Sequence, residues 1–162
     1  MAQNVRAVPE GYNTLSPLLV VRGAEQAIEF YKKAFGAEVR GIGRGPGNKV
    51  IHAALKIGDS TLMLSDEFPE WHSLGPQSFG GTGTTIHIYV ENADAFFARA
   101  VAAGATVAMP MMDAFWGDRY GKLTDPFGHA WSVATHVKDL TPEEMERGMK
   151  EAMKAMAKPA GQ

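Results

Sequence analysis

With 162 residues, 45% of them hydrophobic and 21% charged, the chain has ordinary globular composition and can furnish a core for one domain or two small fused modules. A formal net charge of −2 and a pI near 6.2 provide no basic surface for a nucleic-acid backbone or an anionic membrane. The lack of cysteine excludes disulfides, thiolate metal sites and a cysteine nucleophile; with no leader and no apolar run of membrane length in view, a cytoplasmic location is expected.

Residues 1–12 are polar and mixed and end in Pro9-Glu10-Gly11, which reads as a flexible N-terminal arm. Thr14 to Val21 is rich in β-branched and large apolar residues and predicts a first strand, broken by Gly23. Ala24 to Phe35 has helical periodicity, with Ala24, Ala27, Ile28, Tyr31 and Phe35 on one side and Gly36 as its C-cap. Glu38 to Arg44 and Lys49 to Ile57 predict a hairpin across the turn Gly45-Pro46-Gly47-Asn48, and Ser60 to Ser65 a further strand after Gly58-Asp59. Residues 66–83 form a long irregular loop holding Phe68, Trp71 and Phe79; its length marks it as functional, as an inter-module linker, or both.

The order then repeats. Thr84 to Val90 predicts a strand, and Asn92 caps a helix to Ala103 with Ala93, Phe96, Phe97, Ala100 and Val101 on one side. Thr106 to Met109 predicts a short strand ended by Pro110, followed by strands Arg119 to Thr124 and His129 to His136 around the turn Asp125-Pro126-Phe127-Gly128. Gly36-Ala37-Glu38-Val39 matches Gly104-Ala105-Thr106-Val107, and the element order is shared, which argues for two similar units packed together. In the tail, Thr141-Pro142-Glu143-Glu144 is a helix start with a capping box, and Met145, Met149, Met153 and Met156 make an apolar stripe expected to dock on the body or on a second subunit. Lys158 to Gly161 is expected to fray.

The predicted architecture is α+β: paired βαβββ modules forming curved mixed sheets around a cavity, plus a C-terminal helix. The boundaries are 1–12 for the arm, 13–65 for the first module, 66–83 for the connecting loop, 84–136 for the second module and 137–162 for the helix and tail.

Strand alternation assigns the faces. Ile86, Ile88 and Val90 should pack under a helix, leaving Thr85, His87 and Tyr89 toward the cavity. By the same parity Ile51, Ala53, Leu55 and Ile57 go under a helix and His52, Ala54 and Lys56 oppose them; Trp131 and Val133 belong to the core, and the small Ala130, Ser132 and Ala134 leave space in the pocket. His52 and His87 can then share a cavity, as hydrogen-bonding pocket or interface residues or, with some of His52, His87 and Glu67, as a divalent-metal set; the remaining reading is exposure to solvent. His72 and His136 read as loop or surface residues. In Phe115-Trp116-Gly117-Asp118-Arg119-Tyr120-Gly121 the aromatic pair Phe115-Trp116 can stack on a ligand and Arg119 can pair with an anionic group, with Asp118 orienting Arg119; the other reading is an internal tryptophan and an arginine salt bridge that pins a turn. The glycine-rich segment Gly41 to Gly47 lacks the strand-to-helix setting of a phosphate loop, and no nucleophile elbow is present.

Ala27-Ile28-Glu29-Phe30-Tyr31 with Phe35-Gly36, and Asp125-Pro126-Phe127-Gly128 before the last strand, resemble the vicinal-oxygen-chelate superfamily of glyoxalases, bleomycin-resistance proteins and dioxygenases, over residues 13–136. The segment from Phe115 to Gly121 is similar to a glyoxalase-like branch, much of it functionally unassigned. The resemblance implies paired βαβββ modules and a homodimer. It also implies metal-ligand positions at Ser16, Thr85, Ser132 and near Leu64 or Ser65, where this chain offers hydroxyls that do not make a tight site for Zn²⁺, Ni²⁺ or Fe²⁺. The expectation is a metal-free protein that binds or sequesters a small aromatic or anionic molecule with His52, His87, Tyr89, Trp116 and Arg119, without nucleic-acid or membrane partners. The alternatives are a glyoxalase-type lyase or isomerase using Zn, Ni, Mn or Fe, with His52, Glu67 and His87 as ligands, and an interaction protein acting through the C-terminal helix. Whether any reaction is catalysed is left open.

Overall fold

In the computed structural model, residues 5–157 are described; the fraying expected at Lys158 to Gly161 lies outside them. The elements run β1 (Leu18–Val21), α1 (Ala24–Phe35), β2 (Glu38–Arg44), β3 (Val50–Ile57), β4 (Ser60–Asp66), the single helical turn α2 (Pro76–Phe79), β5 (Thr85–Tyr89), α3 (Ala93–Ala103), β6 (Thr106–Asp113), β7 (Asp118–Thr124), β8 (Ala130–His136) and α4 (Pro142–Met156). Two four-stranded mixed sheets result, ordered β1-β4-β3-β2 and β5-β8-β7-β6; in each, the first strand runs parallel to the last and the other pairs are antiparallel.

Both modules start their helix in the same way. The Asp66 carboxylate, at the end of β4, accepts the Ala24 N–H at 2.8 Å, and the Thr135 hydroxyl, near the end of β8, accepts the Ala93 N–H at 2.8 Å. Each thus satisfies one of the orphan donors of a helix N-terminus from the last strand of its own module. Asn92 adds the cap predicted for it by accepting the Ala95 N–H. Gly36 closes α1 at φ 67°, where its own N–H and that of Ala37 return to the carbonyls of Lys32 and Tyr31.

The helices pack on each other and on the apolar faces of both sheets. Phe35 of α1 stacks on Phe96 of α3 at 5.3 Å and lies 4.7 Å from Trp131 of β8. At the centre, Asp125 accepts four donors: Tyr31 Oη from the first module, Trp131 Nε1, and the backbone N–H groups of Phe127 and His129. The Asp-Pro-Phe-Gly turn therefore serves as a pin between modules, and the motif needs a carboxylate because a buried phenol and indole must both find an acceptor.

Three expectations are corrected. The sheets do not curve around a cavity: each is open, with β1 and β2 at the edges of one and β5 and β6 at the edges of the other. The β1 edge is occupied by something other than a strand, since its Val20 carbonyl meets His129 Nε2 at 3.0 Å and Gly75 of the connecting loop lies against it. Second, β6 does not stop at Pro110 but continues to Asp113, with register shifts on either side of Met109 that accommodate a residue unable to donate to the ladder. Third, Ile51 does not lie under a helix; it is exposed and packs over Gly45, where the hairpin turn twists β3 away.

Candidate functional site

The helix-free face of the second sheet can be read as a grid, because cross-strand partners share a face. One transverse row holds His87, Ser132 and Lys122 on β5, β8 and β7, with Met109 beyond on β6. The next holds Tyr89, Ala134, Tyr120 and Met112, and the end of the sheet pairs His136 with Asp118. Small residues on β8 make a floor between larger ones on β5 and β7. The large side chains lean inward: His87 and Tyr120, on strands separated by β8, have ring centroids 6.1 Å apart with planes at 21°, and they cover Ser132 and Ala134.

The rings are continuous. Tyr89 contacts His87 at 4.4 Å, Trp116 meets Tyr120 edge-on at 5.1 Å, and Phe115 meets Trp116 at 5.0 Å. Tyr89, Trp116 and His87 are each tied down at a polar atom. Asp118 is 2% exposed, and its carboxylate accepts Tyr89 Oη at 3.1 Å, Trp116 Nε1 at 2.9 Å and His136 Nδ1 at 2.7 Å. His87 Nδ1 lies 2.7 Å from Ser132 Oγ. With Tyr89 and Trp116 bonded inward to Asp118 and His87 Nδ1 to Ser132, ring faces make up much of what this surface presents to a ligand.

Electrostatics follow from that wiring. Burial works to raise the Asp118 carboxyl, but the hydrogen bonds from His136, Trp116 and Tyr89 outweigh it and hold the group below its ordinary value. Tyr89 is raised by its hydrogen bond to the Asp118 carboxylate, and His136 is raised by Asp118 first and by Asp139, 3.0 Å from its Nε2, second. Burial lowers His87, against the opposing charge of Asp118, so this imidazole is neutral near pH 7.

Of the residues singled out from the sequence, His87, Tyr89 and Trp116 lie together on this face. Arg119 projects from the other side of β7, where its guanidinium grips both oxygens of Asp94 in the first turn of α3 and also reaches Asp113. Asp118 and Arg119 are consecutive strand residues and so point to opposite faces; Asp118 orients Tyr89 and Trp116 instead of Arg119. His52 is exposed on the first sheet. Glu67 is spent in the connecting loop, where hydrogen bonds from Ser78, the Gly75 N–H and Arg22 hold its carboxyl low. Among the described residues no three His, Cys, Asp or Glu side chains come close enough together to hold a metal ion, so His52, Glu67 and His87 do not form one set. At the positions implied by resemblance, Ser16 donates to the Asn13 carbonyl and Ser132 engages His87, a hydroxyl donor set that does not fit a transition metal.

Lys122, Tyr120 and His136 belong to the face and were not among the residues singled out. Parity could have found the first two, because they alternate with Asp118 along β7; His136 depended on knowing which strand end meets Asp118. The face opens at β5 onto a groove of about 590 Å³ between the modules, lined by Ile86, Ile88, Phe96 and Trp131 on one side and by Leu15 and Pro17 on the other.

A family model described as the glyoxalase/bleomycin resistance protein/dioxygenase superfamily matches residues 13–133. An uncharacterized protein of Mycobacterium tuberculosis is 49% identical over 138 residues, covering 83% of this chain and 81% of the relative. A solved gene product of Arabidopsis thaliana superposes with a TM-score of 0.61 at 29% identity, covering 76% of this chain and 98% of its own. A solved protein of Pseudomonas aeruginosa superposes with a TM-score of 0.62 at 28% identity, covering 78% and 99%.

Proposed function

This chain belongs to the glyoxalase/bleomycin resistance protein/dioxygenase superfamily, and on that premise we propose that it binds a small, flat, ring-bearing molecule on the aromatic face of its second sheet, without a metal. The observation that carries this reading is the unbroken line of rings from Phe115 to Tyr89, in which Tyr89 and Trp116 bond to Asp118 and His87 Nδ1 to Ser132. A ring slotted between two others needs about 7 Å, twice the optimal carbon–carbon separation. His87 and Tyr120 are already nearly parallel at 6.1 Å, so a shift of about 1 Å admits a planar guest. The groove beside β5 gives such a molecule a second apolar wall. Nothing in this arrangement calls for bond cleavage, and sequestration is the activity it serves.

Tryptophan fluorescence supplies the test, with Trp116→Phe as the control that separates its signal from those of Trp71 and Trp131. Titration with 2-naphthoate should quench or shift the emission with saturation. Tyr120→Ala should weaken binding by about tenfold, in line with about 1–1.5 kcal/mol for one lost aromatic contact. Metal analysis of the purified protein forms the second arm: a stoichiometric ion whose chelation abolishes binding would overturn the metal-free reading.

A further inference from the structure

We propose that Lys122, together with the Ser132–His87 pair, forms an anion subsite on the aromatic face, so that the preferred ligand class is an aromatic carboxylate rather than a neutral ring. The inference rests on the binding face proposed above and adds its charge selectivity.

Register sets the three residues in one row across β5, β8 and β7. Lys122 is half-buried, and among the described residues its ammonium has no hydrogen-bond or ion-pair partner. Most other cations near the second module are engaged: Arg119 by Asp94 and Asp113, Arg99 by the Ala34 carbonyl, Lys138 by Glu144, and His136 by Asp118 and Asp139. The nearest carboxylate on the same face, Asp118, is already shared among three donors. Lys122 is therefore the charge that this surface leaves for a guest.

The second observation is independent of the lysine. The 2.7 Å contact between His87 Nδ1 and Ser132 Oγ carries one proton, and either assignment leaves a free donor. If Ser132 donates, the neutral His87 carries its proton on Nε2 and offers that N–H. If His87 donates from Nδ1, the Ser132 hydroxyl proton is free but lies beneath His87 and Tyr120, where a guest that parts the two rings reaches it. A carboxylate set over this row meets an ammonium from one side and a neutral donor from the other while its ring lies against Tyr120, one row along. The arginine expected to read the anion belongs to the opposite side of the sheet, and a lysine three residues later on the same strand takes that role.

The experiment compares 2-naphthoate with its neutral isostere 2-naphthamide by Trp116 fluorescence and calorimetry. The intact protein should prefer the carboxylate by about tenfold at low salt, as for a hydrogen bond to a charged group, and the preference should shrink as NaCl is raised. Lys122→Met keeps the apolar stem and should equalise the two affinities while binding of the amide persists; Lys122→Arg should restore the preference. Equal affinities for the intact protein, or a preference that survives Lys122→Met, would overturn the subsite while leaving the aromatic face standing. Failure of both probes to bind at millimolar concentration removes the aromatic face itself, and the subsite with it.

Discussion

Asp118 and Asp125 show how much a buried carboxylate depends on its donors. Asp125 is 4% exposed and joins Tyr31 to Trp131 across the modules. Asp125→Ala would leave a phenol and an indole without an acceptor in the core and should cost about 3–5 kcal/mol, a loss typical of breaking a buried charged network. Urea unfolding measures it, and a loss under about 1 kcal/mol would contradict the pin. Asp118 and His136 set opposite pH limits. The lowered Asp118 carboxyl stabilises the fold above the unfolded carboxylate range, and that contribution is lost as acid brings the pH down through its folded value. The raised His136 stabilises below its unfolded value near 6.5, and that contribution is lost as pH rises through its higher folded value. His136→Gln should therefore remove the decline in stability just above neutral pH and reduce, without abolishing, the acid-side decline, because Trp116 and Tyr89 still donate to Asp118. A pH series of unfolding midpoints checks this; an unchanged alkaline limb would place its cause elsewhere.

At the scale of elements, α4 is held at a few points. Thr141 and Glu144 complete the predicted capping box, with the Thr141 side chain accepting from Glu144 N–H and the Glu144 side chain accepting from Thr141 N–H. Of the two docking sites open to the methionine stripe, the body or a second subunit, its C-terminal half does not use the body: Met153 and Met156 are 65% and 84% exposed, and the face turned to the body is that of Met145, Gly148 and Ala152. The reason is close approach: a Cβ at Gly148 would stand 3.1 Å from Phe115 Cβ and 3.2 Å from its carbonyl oxygen. Glycine lets the helix rest on the turn that carries Trp116 at this distance, and a branched side chain would force the two apart. Gly148→Val should lift α4 without unfolding the sheets, seen as faster hydrogen exchange confined to the helix and a change in Trp116 emission. Protection equal to that of the parent would show that the contact does not anchor the helix.

At the scale of the molecule, one core serves both modules, while the helix-free faces of the two sheets remain open. The first is partly covered by the N-terminal arm, where Thr61 Oγ1 donates to the Gly11 carbonyl; the second displays the aromatic rings. Leu15, exposed at the inter-module groove, and Leu18, exposed at the start of β1, are large apolar groups of the kind that mark a contact surface. A homodimer is the expected assembly. Light scattering during gel filtration should give about twice the chain mass of 17.5 kDa, and a constant monomer mass across micromolar concentrations would refute it.

Local pattern alone was enough to identify the three long helices, the caps at Gly36, Asn92 and Thr141 and the repeated order of elements, though not the turn α2, because 3.6- and 2-residue periodicity and glycine at left-handed positions act over a few residues. It also put His87 and Tyr89 on one face and Ile86 and Ile88 on the other, as the structure has them. Only the tertiary structure decided which ends of those strands meet. It sent Arg119 to Asp94 and brought Lys122 into line with Ser132 and His87, and it left the sheets open. Those outcomes depend on register between strands far apart in the chain, and a shift of one residue reverses every side chain. Register here is set by core contacts such as Tyr31 with Asp125, which no stretch of local sequence contains.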